Sequence, residues 1–348
     1  MVVNLRNQKI SLTEIQNGKI NQNNLSDFES EAIKFLQQWS SEQKVFIQTT
    51  SGSTGKPKKI QLTRDQLNYS AATTLEAIDL DNQLKTSLLC INPNFIGGKM
   101  VMVRAVSKGM DLTIVEPSEL VESVKNIESI DLVSLVPLQV EKLLAVDQAL
   151  LTKFKTILIG GAPMSNTLIK KLVAIPDVRF RQTYGMSETA SNVALKDLKS
   201  ENKSFEIIGD ASIAQDSRGC LKIKGSVTKD EWIQTNDLVQ IIDNQHFEWK
   251  GRADFIINTG GVKVSPEKVE EALESQIEVP FFVGGLPDKL LGTKVVLILE
   301  SYNDKLPALD FSMLPVYDRP KEILKLNSFE YTSSGKIDRN LTLKKIAS

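Results

Sequence analysis

The chain has little of what many kinds of catalysis depend on. Its 348 residues hold one histidine, His246, and two cysteines, Cys90 and Cys220. A Ser–His–Asp triad or a His–Cys metal cluster therefore has almost no material to work with, and no disulfide framework is implied. The cysteines stand far apart and in no motif, which fits a reducing compartment. His246 lies between Gln245 and Phe247 in a polar turn entering a strand and reads as a turn or solvent residue. Neither sign of charge is in excess: 42 Lys and Arg face 43 Asp and Glu, a net of -1. A strongly basic nucleic-acid surface is thereby excluded, whereas an acidic small molecule needs only a few placed cations. No apolar run reaches the length of a membrane span, and the start, Met1-Val2-Val3-Asn4-Leu5-Arg6, lacks the core of a signal peptide. The expected location is cytoplasmic. Internal repeats and low-complexity linkers are absent too, so a domain boundary has to be a short hinge, and Arg252 to Phe255 is the candidate.

What is there alternates in the manner of an α/β protein. Strands are predicted at Val45–Gln48, Ser87–Ile91, Leu112–Val115, Leu132–Val136 and Thr156–Ile159, with helices through Leu120–Ile127, after Pro137, and through Leu168–Leu172. From about residue 200 short strands and turns dominate, predicting a small β subdomain. Beyond Gly251-Arg252 the pattern is compact α+β, with Pro266 opening a helix.

The sharpest local signal is the run Thr49-Thr50-Ser51-Gly52-Ser53-Thr54-Gly55-Lys56-Pro57-Lys58. Glycine turns expose backbone N–H groups, and the hydroxyls and ammonium groups add donors, so the run makes a cradle for phosphate oxygens. It is not a Walker loop, which needs four residues between its glycines and Ser or Thr after the lysine. Gly160-Gly161-Ala162-Pro163 closes an apolar strand with small residues that let a flat ring approach the backbone, though a plain turn reads the same way. Tyr184-Gly185-Met186-Ser187-Glu188-Thr189 joins an aromatic ring, a hydroxyl and a carboxylate. Asp237, in Trp232-Ile233-Gln234-Thr235-Asn236-Asp237, offers an acceptor for two donors. Gly251-Arg252-Ala253-Asp254 runs on into Gly260-Gly261, and Ser333-Ser334-Gly335-Lys336-Ile337-Asp338-Arg339 lies near the end.

In this order the motifs resemble those of the adenylate-forming superfamily, which includes acyl-CoA synthetases, peptide-synthetase adenylation domains and luciferases. The resemblance covers roughly residues 45 to 340. It implies a large α/β N-terminal adenylation domain, residues 1–251, with mixed sheets, helices and a small β subdomain. A small mobile α+β lid, residues 252–348, would turn about a hinge at Asp254. It further implies that Thr50, Ser51, Gly52, Ser53, Thr54, Gly55 and Lys56 hold the phosphates of ATP. Gly161, Ala162 and Pro163 flank the adenine on which Tyr184 stacks. The Ser187 hydroxyl, where the family usually has Thr, touches the α-phosphate. Glu188 ligates Mg²⁺, Asp237 takes the ribose hydroxyls, and Arg252 reaches ribose or phosphate. Gly260 and Gly261 border the path of CoA, and Lys336 is the catalytic lysine.

The chain departs from the pattern in places. Only about 48 residues precede the phosphate run, far fewer than in most relatives. Asn236 stands where Gly is commoner, and Glu330-Tyr331 where Pro-Arg often precedes the lysine loop. Phe95 aligns with a frequent histidine of the acyl pocket and is as readily plain core. The stretch Ser187-Glu188-Thr189-Ala190-Ser191-Asn192 is similar to that of 2-succinylbenzoate–CoA ligases of menaquinone synthesis. That resemblance implies a pocket for a small carboxylic acid from among Phe95, Gly97, Thr183, Gly185, Thr189 and Ser191, with Lys99 as an available cation. Another acyl-CoA ligase, an adenylation domain loading a carrier protein, and a non-catalytic nucleotide-binding module are the competing readings. The presence together of Lys336, Glu188 and Asp237 argues against the last. A homo-oligomer is compatible with all of them.

Overall fold

A computed structural model of the chain describes residues 1–6, 8–20, 25–49, 58–79, 82–301, 309–332 and 337–347. The chain opens with an antiparallel pair, β1 (Val2–Leu5) and β2 (Gln8–Ser11), followed by helices α1 (Leu12–Gln16) and α2 (Asp27–Ser40). A separate hairpin, β3 (Val45–Thr49) and β4 (Lys59–Thr63), carries the phosphate run between its strands and leads into α3 (Arg64–Ile78). Strands and helices then alternate: β5 (Thr86–Leu89), α4 (Ile96–Lys108), β6 (Asp111–Ile114), α5 (Leu120–Asn126), β7 (Ile130–Leu135), α6 (Pro137–Val146), β8 (Phe154–Ile159), α7 (Asn166–Val173) and β9 (Arg179–Met186). Strands alone follow: β10 (Ser191–Asp197), β11 (Phe205–Ile207), β12 (Ser212–Gln215), β13 (Cys220–Lys224), β14 (Ile233–Ile241) and β15 (His246–Arg252). The last part holds β16 (Ile257–Thr259), β17 (Val262–Val264), α8 (Pro266–Leu273), β18 (Phe281–Asp288), β19 (Gly292–Glu300), β20 (Glu322–Leu326) and α9 (Arg339–Ala347).

One sheet of 13 strands runs through everything before the last part, in the order β12-β13-β14-β15-β11-β10-β9-β8-β7-β5-β6-β1-β2. From β9 through β8, β7, β5 and β6 to β1 neighbours pair in parallel, and the central strands β7 and β8 are buried on both faces. That is why those two read as largely apolar runs. Successive residues feed two cores. Leu89, Leu132 and Leu158 face α2, α3 and α4, while Leu88, Val133 and Ile157 face α5, α6 and α7. The β subdomain predicted after residue 200 is antiparallel, and its ladder continues that same sheet through β10 and β11. Phe205 and Phe247 stack at its centre, ring centroids 5.5 Å apart.

Beyond Arg252 the strands β18, β19 and β20 form their own sheet, with cores on either side around Val269, Leu273 and Leu297, and around Phe282 and Phe329. This part touches the rest at the start of α7. Glu274 accepts the backbone N–H groups of Asn166 and Thr167 at 2.8 and 2.7 Å. A carboxylate there meets the positive end of the helix. Both cysteines are buried free thiols, and His246 closes its turn by pairing with Asp243 at 2.9 Å. Among the described residues no helix is long and apolar enough to cross a membrane.

Candidate functional site

The strand register brings two of the motifs together directly: Asp237 on β14 lies opposite Arg252 on β15. Tyr184 reaches the same carboxylate from β9, its hydroxyl donating to Asp237 Oδ2 at 2.7 Å. Burial first, then the charge and hydrogen bond of Asp237, pushes the Tyr184 phenol far up. Tyr184 therefore stays a protonated donor. Asp237 Oδ1 is held more loosely, with Arg252 Nη1 and the Trp249 indole N–H each at 3.4 Å. Only 9% of Asp237 is exposed, so a hydroxyl pair arriving at Oδ1 would meet a preset acceptor in a poorly solvated site. Arg252 also forms a two-pronged pair with Asp254, Nε to Oδ1 at 2.8 Å and Nη2 to Oδ2 at 2.7 Å. Burial opposes the guanidinium's charge, but the Asp254 bonds and the two nearby carboxylates outweigh it and raise its pKa. The residue proposed for the hinge thus grips the one proposed for ribose. Asn236, the departure from the family's glycine, accepts from Arg218 Nη1 at 3.1 Å, and Arg218 Nη2 holds the Thr235 carbonyl at 3.2 Å.

Part of the Tyr184 ring, expected to stack on adenine, is already spent in the core. It packs tilted on Phe205 at 5.7 Å and edge-on to Phe247 at 5.1 Å. Beside it, the pairing of Ile159 with Gln182 sets Gly161, Ala162 and Pro163 next to Thr183 and Gly185 at the carboxyl ends of β8 and β9. The approach is close enough to demand glycine: a Cβ on Gly160 would lie 2.0 Å from Thr183 Oγ1, and one on Gly185 2.0 Å from the Ser191 carbonyl oxygen.

Ser187, Glu188 and Thr189 make a single turn that packs against β4, the strand leaving the phosphate run. Ala190 and Ser191 follow with φ of 51° and 95°. Left-handed backbone at two non-glycine residues stores about 1–3 kcal/mol each and gathers at functional sites. Thr189, expected at the acyl pocket, has its hydroxyl engaged within the turn. It is fully buried, and its hydroxyl accepts from the Met186 N–H at 3.0 Å and donates to the Ser191 carbonyl at 2.7 Å, so it locks the turn. Glu188 is half-buried, and no trio of His, Cys, Asp or Glu gathers as a metal site among the described residues. One carboxylate completed by phosphate oxygens is the donor set a nucleotide-bound Mg²⁺ takes, so Glu188 fits that ion.

Phe95 caps the start of α4, half-buried, with Gly97 and Gly98 in the first turn. A Cβ on Gly98 would lie 2.3 Å from the Asn92 carbonyl oxygen. Two of the three donors of Lys99 are engaged: its ammonium donates to Gln48 Oε1 at 2.8 Å and to the Ile47 carbonyl at 3.3 Å. Among the described residues of α4, a cation with donors to spare is one the sequence reading missed. Arg104 is 2% exposed, donates from Nη2 to Ser134 Oγ at 3.2 Å, and leaves Nε and Nη1 with no partner. Seven residues after Gly97, it lies on the same helix face. The signal was a lone arginine within an apolar stretch of that helix, Met100-Val101-Met102-Val103-Arg104-Ala105.

Thr50 to Lys56 and Lys336 lie outside the described residues. Gly260 and Gly261 form the left-handed turn between β16 and β17, at φ of 56° and 82°, held by Leu291 of the β18–β19 turn rather than by the Asp237 group. Asp254 sits in the single turn Ala253–Phe255 that leaves β15.

Comparison with known proteins places this arrangement. The chain is 28% identical over 354 residues to a 2-succinylbenzoate–CoA ligase of Listeria monocytogenes, spanning 92% of this chain and 74% of that one. It superposes with a TM-score of 0.62 and 32% identity on an acyl-CoA synthetase (AMP-forming)/AMP-acid ligase II-like protein from Dyadobacter fermentans, covering 97% and 99% of the two chains. The fold is shared at a TM-score of 0.74 with the O-succinylbenzoate coenzyme A synthetase of Bacillus subtilis in complex with ATP and magnesium ion, 22% identical, over 86% of this chain and 69% of that one. The model of the AMP-binding enzymes matches residues 4–214, which hold the phosphate run, the Gly160–Pro163 loop and the Tyr184–Glu188 turn. With more than half its length matched, the chain belongs to the AMP-binding enzyme family.

Proposed function

We propose that the chain activates 2-succinylbenzoate with ATP and passes the acyl group to CoA. The observation that carries this choice of acid is Arg104. A guanidinium shut away from water with two nitrogens unpartnered is costly unless an anion joins it. The reacting carboxylate is consumed at the phosphate, so the anion at Arg104 belongs to a second acid group. 2-Succinylbenzoate has one, on its ring, and the activated carboxylate sits at the far end of its succinyl arm.

In the first half-reaction the succinyl carboxylate attacks the α-phosphorus in line, a new C–O–P bond forms, and the bond to pyrophosphate breaks. Asp237 holds the ribose hydroxyls, backed by Tyr184 and Arg252, while Gly161–Pro163 border the adenine. Ser187 and Lys336 set the carboxylate against the phosphate, which is positioning plus charge stabilisation. Glu188 would hold a Mg²⁺, which would supply positive charge at the phosphates. In the second half-reaction the CoA thiolate attacks the acyl carbon, and AMP leaves with the C–O bonding pair. The C-terminal part would turn about Asp254, bringing Gly260 and Gly261 beside the thiol's path.

The test is direct: protein, ATP, Mg²⁺, CoA and 2-succinylbenzoate should yield a thioester and AMP in equal amounts. Benzoate, or a monoacid lacking the ring carboxylate, should be a poor substrate. Equal rates for monoacid and diacid would refute the substrate. Lys336→Ala should abolish acid-dependent ATP–pyrophosphate exchange, and exchange at the wild-type rate would refute the role of Lys336.

A further inference from the structure

Gln48 lies one residue from the end of β3, the strand that runs into positions 50–57, and is 1% exposed. Both ends of its carboxamide are engaged. Oε1 accepts from Lys99 Nζ at 2.8 Å, and Nε2 donates to the carbonyls of Thr49 and Asn94, both at 3.0 Å. Asn94 directly precedes Phe95, the cap of α4, and Lys99 is in the first turn of that helix. Lys99 fastens the strand a second time through the Ile47 carbonyl at 3.3 Å. One side chain thus ties the entry of the phosphate run to the turn that opens the acyl helix.

Packing alone does not call for this. An apolar pair of similar volume would fill the space between β3 and α4 without desolvating an ammonium group and an amide. Burial disfavours the charge of Lys99 and lowers its pKa, so keeping the ion there has a cost. What an amide and an ammonium provide, and an apolar pair does not, is directional register. In-line attack needs the acid's oxygen about 3–3.5 Å from phosphorus, and a misplacement of about 1 Å costs about 100-fold in rate.

We propose that Gln48 and Lys99 are positioning residues that hold the end of β3, the strand entering the phosphate run, in register with the turn that opens α4. The inference rests on the functional reading above, in which positions 50–56 hold ATP and Phe95 and Gly97 border the acid. Each substrate then binds through its own contacts, and the joint sets the distance between them. Its loss appears in kcat, not in the affinity for either substrate alone.

The experiment uses the full chain with Lys99→Met and with the double variant Gln48→Leu/Lys99→Met. Three quantities are measured: the melting temperature, the Kd for Mg-ATP alone, and acid-dependent ATP–pyrophosphate exchange per active site counted by the burst of acyl-adenylate. The double variant should bind Mg-ATP within about twofold of wild type and lose at least about tenfold in kcat per active site. Lys99→Met, which keeps both Nε2 bonds, should lose less. A merely structural role would lower the melting temperature and the number of active sites while leaving kcat per site unchanged. A double variant with wild-type kcat per site overturns the proposal. Should the double variant not fold, Lys99→Met decides alone: unchanged kcat per site overturns it, and a severalfold loss with intact Mg-ATP binding supports it. Wild-type protein without acid-dependent exchange would refute the functional reading itself, and this inference with it.

Discussion

Replacing Arg104 by methionine should stabilise the unliganded protein and cripple its use of a diacid. Burial pulls the Arg104 pKa well below the ordinary guanidinium value, down to about 10. At neutral pH that drop means a charge held in the protein at a cost of about 3 kcal/mol. Methionine removes the cost, gives up the Ser134 bond, worth about 1 kcal/mol, and keeps most of the apolar stem. The net gain is about 1–2 kcal/mol, a rise in melting temperature of about 2–4 °C for a body of this size. Binding moves the other way. A charge-assisted pair with a carboxylate contributes about 2–3 kcal/mol, so KM for 2-succinylbenzoate should rise about 30- to 150-fold. Initial-rate exchange with 2-succinylbenzoate and with an analogue lacking the ring carboxylate separates the effects. The analogue's KM should change less than about threefold. A rise that is equal for both acids, or a fall in melting temperature, would refute the assignment of Arg104 to the second carboxylate.

Other expectations concern the nucleotide, the acyl helix and the contact between the two parts of the chain. Tyr184→Phe removes the 2.7 Å donor to Asp237 and should raise KM for ATP about tenfold with kcat little changed; an unchanged KM would mean that ribose does not bind at Asp237. Gly98→Ala puts a methyl 2.3 Å from the Asn92 carbonyl oxygen, against backbone that cannot yield, and should cost about 1–3 kcal/mol in urea unfolding. Glu274 is hindered by burial, yet the N–H groups of Thr167 and Asn166 hold its carboxyl below the usual range. A lowered folded pKa stabilises the docked form at pH above the ordinary glutamate value, and that contribution is lost as pH falls through the folded pKa. The protection factors of the Asn166 and Thr167 amides, taken against the intrinsic rate at each pH, should therefore fall in acid, and fall at neutral pH in Glu274→Gln.

How much of this was legible beforehand depends on whether the information was local. The phosphate run, the Gly160–Pro163 loop and the Ser187–Thr189 turn are contiguous, and each shows its donors or its small residues in order. Asp237 and Arg252 are 15 residues apart, yet a hairpin puts them face to face, so their pairing was within reach of the strand pattern. The alternating β–α run gave the parallel sheet for the same reason. The continuation of that sheet into β11–β15 was not visible, because short antiparallel strands pattern alike whether they close on themselves or extend a neighbour. The roles of the cations were least visible. Lys99 and Arg104 sit on one apolar helix, and in the sequence Lys99 is the one beside the pocket glycines. Which of them is spent depends on a partner about 50 residues upstream for Lys99, Gln48, and on the small acceptor of about 30 residues downstream, Ser134, that leaves Arg104 half paired. A residue's charge is written in the chain, but how many of its donors are already engaged is decided by tertiary neighbours. Under the proposed function substrate choice turns on that difference: the same helix would supply one cation to hold β3 in register and keep the other for the ring carboxylate of the acid.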